Sequence, residues 1–148
     1  MIKKEKFKFY AAAYLVLIKD GQVLLLRRFH TGYWDGSYSM VAGHLDGNET
    51  IKQCIMREAS EEAGITVSPE DLEVVYTMHK KLPEREYFDI YLRAEKWVGD
   101  ITNMEPDKCD ELKWYDMDDL PDNMIPDVKL ALENIKKNVH YGEFGLAA

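Results

Sequence analysis

The sequence predicts an α/β protein in which a mixed β-sheet is packed between helices. Three observations carry this. Stretches rich in β-branched and aromatic residues alternate with two amphipathic helical patterns, near residues 50–63 and 126–138, in the order strands, helix, strands, helix. Turn residues punctuate these stretches at short intervals. With 148 residues and 46% hydrophobic content, the chain is long enough for one real core and too short for two comfortable ones, so residues 1–148 are expected to form a single domain.

The elements follow in order. Phe7–Ile18 has strand character, and Lys19-Asp-Gly-Gln22 is a turn signal before the apolar run Val23–Leu26, which together predict a hairpin. Thr31–Ser37 is rich in turn residues and carries the adjacent aromatics Tyr33 and Trp34, as a loop over the end of a sheet does. A short strand is expected at Tyr38–Val41. Between Thr50 and Ala63, Ile51, Cys54, Ile55 and Ala59 are spaced to bury one face of a helix. Leu72–Lys80 and Tyr87–Val98 read as strands joined through Leu82–Glu86, a second hairpin. Lys96–Asp110 reads as a functional loop, Leu112–Tyr115 as a strand and Asp116–Leu120 as a helical turn. Pro126 opens a last helix running to about Asn138, with Val128, Leu130, Ala131, Leu132 and Ile135 as its apolar positions. The tail after His140 is expected to be a frayed end or a contact segment.

Composition narrows the function. No apolar run reaches the roughly 18 residues of a membrane span, and the N-terminus does not read as a signal peptide, so a soluble cytoplasmic protein with no membrane partner is expected. The net charge of −8 argues against binding nucleic-acid backbones, which reward clustered Lys and Arg. A small phosphorylated ligand remains compatible, because a bound cation reverses the local field. Cys54 and Cys109 lie far apart, one on an apolar helix face and one in a charged loop, so no structural disulfide is expected.

The chemistry is concentrated between Gly43 and Ile65. On the first helix, Glu58 and Glu62 are four residues apart and Glu58 and Glu61 three apart, which makes them surface neighbours. Like charges at this spacing cost an isolated helix roughly 0.2–0.5 kcal/mol per pair, and Arg57 is the only nearby cation. A divalent ion is the natural neutraliser, since Mg²⁺ takes hard oxygen ligands and joins carboxylates to substrate phosphates.

The string Gly43-His-Leu-Asp-Gly-Asn-Glu49, seven residues, then Arg57-Glu-Ala-Ser-Glu-Glu-Ala-Gly64-Ile65 resembles the Nudix hydrolase signature at every charged and glycine position. Ala59 stands where the family usually has a larger aliphatic residue, and Val41-Ala42 where Pro-Gly is common. The resemblance implies a Nudix-type α/β/α sandwich with a mixed sheet, and Mg²⁺-dependent hydrolysis of a diphosphate linkage in a nucleoside diphosphate derivative, with Mn²⁺ as a possible substitute. It implies Glu58 and Glu62 as principal metal ligands, Glu61 as a further ligand or a holder of the coordinated water, and the carbonyl of Ala42 or Gly43 as an added oxygen. Glu49 either binds a metal or orients the other carboxylates, and Arg57 fixes Glu49 or Glu61. The general base stays open among Glu49, Glu61 and a downstream glutamate, Glu84 or Glu86. Gly47 permits the turn before the helix and Gly64 closes the helix.

Substrate choice lies outside this motif. Of Arg27 and Arg28, strand alternation allows at most one to point inward; Arg28, with Tyr33 or Trp34, is a candidate for phosphate and base, and His79 for a ligand contact. Gly99–Trp114 resembles a loop of Nudix enzymes acting on nucleoside triphosphates, which makes Asn103, Glu105 and Lys108 further candidates. The expected substrate is a (deoxy)nucleoside triphosphate, ordinary or oxidised such as 8-oxo-dGTP, cleaved to monophosphate and pyrophosphate. Nucleotide sugars, dinucleotides and capped RNA ends are the alternatives, the negative net charge arguing mildly against the last, as is a silent nucleotide-sensing module, and the resemblance makes a homodimer plausible. Prenyl diphosphate isomerisation would need a well-placed cysteine, which neither Cys54 nor Cys109 provides.

Overall fold

The computed structural model describes residues 4–146. Its elements are β1 (Tyr10–Lys19), β2 (Gln22–Arg28), β3 (Tyr38–Ser39), β4 (Ala42–His44), α1 (Ile51–Ala63), a short 3-10 turn (Pro69–Asp71), β5 (Glu73–Lys81), β6 (Glu86–Ala94), β7 (Cys109–Asp116), α2 (Pro126–Lys136) and β8 (Tyr141–Phe144). Among the described residues no helix is long and apolar enough to cross a membrane.

The sheet is mixed and it forks. β1 and β2 form the expected hairpin, but they pair only at Ile18↔Val23 and Lys19↔Gln22, next to a two-residue turn in which Asp20 and Gly21 both have positive φ. Beyond that point they part. β1 pairs antiparallel with β4 at Ala12–Tyr14 and parallel with β6 along Tyr10–Leu17, and the series continues through β5 to β8. β2 pairs instead with β3 and β7.

Side chains alternate across this sheet as the strand period requires. Leu15 and Leu17 of β1 join the core beneath α1, with Cys54, Ile55, Ala59 and Ala63. Val16 joins the core beneath α2, with Tyr76, Met78, Tyr91, Val128, Ala131 and Leu132. These two layers of apolar packing give the α/β/α sandwich. α1 starts at Thr50, whose hydroxyl accepts from the Gln53 amide at 3.1 Å while the Gln53 side chain accepts from the Thr50 amide at 2.9 Å.

Five expectations change. β1 begins at Tyr10, not Phe7, because its partner β6 turns back beyond Tyr87 and leaves residues 7–9 nothing to pair with. Tyr38–Val41 is not one strand: β3 and β4 belong to opposite arms of the fork, and Met40-Val41 crosses between them. β6 ends at Ala94, after which Val98 bridges to Thr66. β7 starts at Cys109, extended by pairing along β2, so Cys109 is buried and not in an exposed loop. The tail after His140 is not frayed, since Tyr141–Phe144 pairs with Thr77–Lys80 and completes an edge of the sheet. Both cysteines are free.

Candidate active site

The motif folds into a loop and a helix that hold one another through Arg57. Its Nη2 lies 3.0 Å from Glu49 Oε1 and its Nε 3.3 Å from Glu49 Oε2, while Nη1 lies 2.8 Å from Glu58 Oε1 and 3.5 Å from Glu61 Oε2. Glu49 also accepts from the Asp46 amide at 3.2 Å. Its hydrogen bond to Arg57 and the Asp46 amide hold the Glu49 carboxyl below the usual range. With both oxygens engaged, Glu49 ties the loop to Arg57 of the helix. The contact of Arg57 with Glu58, its shortest, was not among the sequence expectations.

Glu58 and Glu62 face inward one turn apart. Burial, first of all, pushes both carboxyls up; for Glu62 the neighbouring Glu58 adds to it and the Ala42 amide, 3.2 Å from Oε2, opposes it. Glu62 has no cationic partner among the described residues. Gly43 of β4 passes so close to Glu58 that a Cβ there would lie 2.2 Å from Oε1. Gly64 closes α1 in the left-handed conformation, as expected.

Two cavities meet at Glu62. The smaller, about 280 Å³, is lined by Glu58, Glu61, Glu62, Glu105 and Lys108, with Arg28 on its wall. The larger, about 800 Å³, lies in the fork of the sheet, with Arg28, Tyr33 and Ser39 on one side and Ala12, Tyr14, Lys80 and Tyr87 on the other. Asp127 of α2 also lines it, and Ala42, Gly43 and Glu62 close the end nearest the carboxylates.

The donor set fits a hard divalent ion. Glu62 is a half-buried carboxylate without a cation among the described residues, Glu58 and Glu61 stand beside it, and Mg²⁺ asks for only one or two carboxylates while retaining waters. Among the described residues no three His, Cys, Asp or Glu side chains already converge on one metal position. In the metal-free protein the raised carboxyls hold their protons more tightly folded than unfolded. Their contribution to stability is therefore full below the ordinary glutamate value of 4.5 and is lost as pH rises through the raised folded-state values. Thermal unfolding between about pH 6 and about pH 8 is expected to show this loss, Glu62→Gln should remove it, and Mg²⁺ should stabilise more at the higher pH. A Mg²⁺ effect that is the same at both pH values would detach the ion from this pair.

The other candidates divide. Alternation holds at the end of β2: Arg27 turns outward to Asp110, at 2.7 Å, while a register shift after it brings Arg28 to both cavities. Arg28 donates to the Tyr33 carbonyl at 2.6 Å, which sets Tyr33 on the cavity wall. Trp34 lines neither cavity and is exposed. Asn103 lies outside both as well, because its side chain donates to the Cys109 carbonyl at 2.7 Å and accepts from the Glu105 amide at 3.1 Å, bracing the loop that presents Glu105. His79 faces away from the larger cavity: its neighbour Lys80 takes the inward position, and His79 pairs with Glu86 at 3.0 Å and stacks on Phe88. That removes Glu86 from the carboxylate cluster too, whereas Glu84 lines the larger cavity. Cys54 is buried against the carbonyls of Gly43 and His44, and burial pushes its thiol up to about 11, so it offers no acid or base.

Sequence reading missed the floor of the larger cavity. Lys80 lies 2.7 Å from Asp89 and 3.1 Å from Asp127, with all three side chains buried. Burial raises the Asp89 carboxyl to about 6 against the opposing pull of Lys80. One signal was available: Asp89 stands between Tyr87 and Tyr91 at an inward position of a strand, and a charge there needs a partner.

A fork-sheet sandwich with this loop and helix defines a class, and the comparisons agree with it. The NUDIX domain profile matches residues 8–135, and the chain belongs to the Nudix hydrolase family. It is similar to the NAD-capped RNA hydrolase NudC of Stutzerimonas stutzeri, 30% identical over 107 residues that cover 72% of this chain and 37% of that one. The NudC of Chromobacterium violaceum is 32% identical over 114 residues, 77% of this chain and 41% of that one. The chain thus spans about two fifths of the length of these curated relatives. In fold it matches a MutT NUDIX hydrolase from Burkholderia pseudomallei with a TM-score of 0.77, at 22% identity, over 86% of this chain and 98% of that one.

Proposed function

We propose that residues 1–148 form a single catalytic domain that hydrolyses a diphosphate bond in a nucleoside diphosphate derivative with Mg²⁺, and that its substrate is a (deoxy)nucleoside triphosphate, ordinary or oxidised, cleaved to monophosphate and pyrophosphate. The observation that carries this reading is the position of Glu62: a half-buried carboxylate without a cation among the described residues, where a carboxylate-lined cavity meets a cleft of about 800 Å³. That volume suits one nucleotide.

Glu58 and Glu62 would hold the ion, with Glu61 and Glu105 at the rim and a carbonyl of Ala42 or Gly43 as an added oxygen. When bound, Mg²⁺ supplies charge neutralisation for phosphoryl oxygens and makes a nucleophilic water available near neutral pH. Arg57 keeps Glu58 and Glu61 aimed while Glu49 anchors Arg57. Arg28 and Lys108 put positive charge on the wall of the smaller cavity, where phosphates would lie. Glu61 or Glu105, which line the smaller cavity, would accept the proton of the attacking water as its oxygen bonds to phosphorus and the anhydride P–O bond breaks. A cytoplasmic setting and a homodimer complete the proposal.

The NudC relatives favour a second reading, a dinucleotide or nucleotide-capped substrate whose far half extends beyond the cleft. A panel of nucleoside triphosphates, nucleotide sugars, dinucleotides and NAD-capped RNA, assayed with and without Mg²⁺, decides between them. Mg²⁺-dependent pyrophosphate release from a triphosphate is the expected result. Turnover confined to NAD or capped RNA selects the second reading, and no turnover with tight nucleotide binding points to a sensing module.

A further inference from the structure

Arg28, Lys80 and Arg85 are the permanently charged cations that line the larger cavity. Two of them are committed. Lys80 stands between the Asp89 and Asp127 carboxylates at 2.7 and 3.1 Å, and the Arg28 guanidinium is held in the β2–β3 loop by the Tyr33 carbonyl at 2.6 Å and the Thr31 hydroxyl at 3.0 Å. Arg85 has no such tie. Arg27, Arg57 and Arg93 each face a carboxylate, whereas Arg85 pairs with none among the described residues. In a chain of net charge −8, an unpaired guanidinium on a cavity wall is a place kept for an anion that is not the protein's own.

Its footing is stiff. Leu82 and Arg85 exchange backbone hydrogen bonds at 2.8 and 3.3 Å across the tip of the β5–β6 hairpin, and Lys81 donates to the Leu82 and Pro83 carbonyls. The guanidinium lies over the Tyr10 ring, 4.9 Å from its centroid, with Tyr87 beside it. Stacking engages the face of a guanidinium and leaves the N–H groups in its plane available to a phosphate.

The carboxylates stand at the other end of the same wall. Glu62 accepts from the Ala42 amide, Ala42 pairs with Tyr14, and Tyr10 lies two side-chain periods along β1 on the same face. At the rise of a strand the two ends are about 13 Å apart. An ion with bonds of about 2 Å at one end and a charge-assisted hydrogen bond of about 2.8 Å at the other leave a gap that one sugar between two phosphates fills.

We propose that Arg85 is a specificity-determining residue that receives a second phosphate of the substrate, borne on the sugar of the nucleotide whose diphosphate lies at the carboxylates. This rests on the nucleotide reading above. Such a phosphate is a 2′- or 3′-monoester of a small nucleotide or the first linkage of a nucleic-acid strand. Either presents two oxygens to the guanidinium fork.

The test is calorimetric binding, with Mg²⁺ present, of AMP and GMP against their 3′,5′- and 2′,5′-bisphosphates, none of which carries a diphosphate to cleave. A bisphosphate should bind about 10- to 100-fold more tightly than its monophosphate, the gain from a hydrogen bond between charged groups. Arg85→Ala should remove that gain, and Arg85→Lys should keep part of it, because an ammonium retains the charge without the fork. Arg85 is exposed beside a turn, so neither substitution endangers the fold. The 5′-phosphorylated dinucleotides pApA and pGpA separate the two sources. If they match the 3′,5′-bisphosphate the anion is a nucleic-acid linkage, and if they gain nothing it is the monoester of a small nucleotide; both uphold the inference.

No gain with any bisphosphate overturns it, as does a gain that survives in Arg85→Ala. A gain lost in Arg85→Ala, in a chain that cleaves no diphosphate, keeps this inference and rejects the hydrolase reading. Cleavage without any gain does the reverse.

Discussion

Glu62→Gln is expected to lower Mg²⁺-dependent hydrolysis at least about a hundredfold, since loss of a group that merely supports a metal ligand already costs about 10- to 100-fold. The substitution is close to isosteric, and the amide oxygen can still accept from Ala42 N–H, which lies 3.2 Å from Glu62 Oε2. What disappears is a half-buried carboxyl beside Glu58 whose raised folded-state titration costs stability as pH rises above the ordinary glutamate value. The metal-free variant should therefore unfold at a higher temperature than the wild type at neutral pH, while gaining far less from added Mg²⁺. Opposite movements of stability and activity are the signature of a site built around repelling charges. Thermal scans and turnover measured side by side check it, and a Glu62→Gln enzyme of normal rate would place catalysis elsewhere.

Gly43→Ala should separate activity from stability in a different way. The new Cβ would fall 2.2 Å from Oε1, 2.3 Å from Cδ and 2.7 Å from Cγ of Glu58. Those atoms are the far end of a flexible side chain, not backbone, so Glu58 swings aside and the fold stays. Unfolding free energy should change by no more than about 1 kcal/mol. The displaced carboxylate leaves Arg57 Nη1, now 2.8 Å away, and with it the geometry needed for the ion. Metal affinity and turnover should each fall about 10- to 100-fold. Calorimetric Mg²⁺ titration is the discriminating measurement, because unchanged affinity would remove Glu58 from the ion's ligands.

Local spacing made one wall of the site legible and left the other dark. Glu58, Glu61 and Glu62 share a helix whose start and stop are written within a few residues of them, so their common face follows from a period of 3.6. Lys80 and Asp127 are 47 positions apart, and only the topology that sets α2 across β5 brings them together. The same logic explains β8. Tyr-Gly-Glu-Phe has little strand signature of its own, and the free edge of β5 is what makes it a strand. Tyr38–Val41 reads as one strand because nothing in it announces that the chain leaves β3 for the other arm at Met40. Trp34 and His79 were chosen for chemistry that their side chains possess but their positions do not use.

The carboxylates of α1 and the Lys80 cluster stand on elements that do not hydrogen-bond directly to one another, although β4, β6 and β5 lie on the same arm of the sheet. Glu58, Glu61 and Glu62 ride on α1 with β4 behind them; Lys80, Asp89 and Asp127 ride on β5, β6 and α2. Substitutions in the two groups share no direct partner, so their energetic effects should be close to additive. A lineage built on this scaffold can change the walls of the larger cavity while the carboxylate cluster is inherited intact. That independence is also why a short motif announces what bond is broken and stays silent about whose.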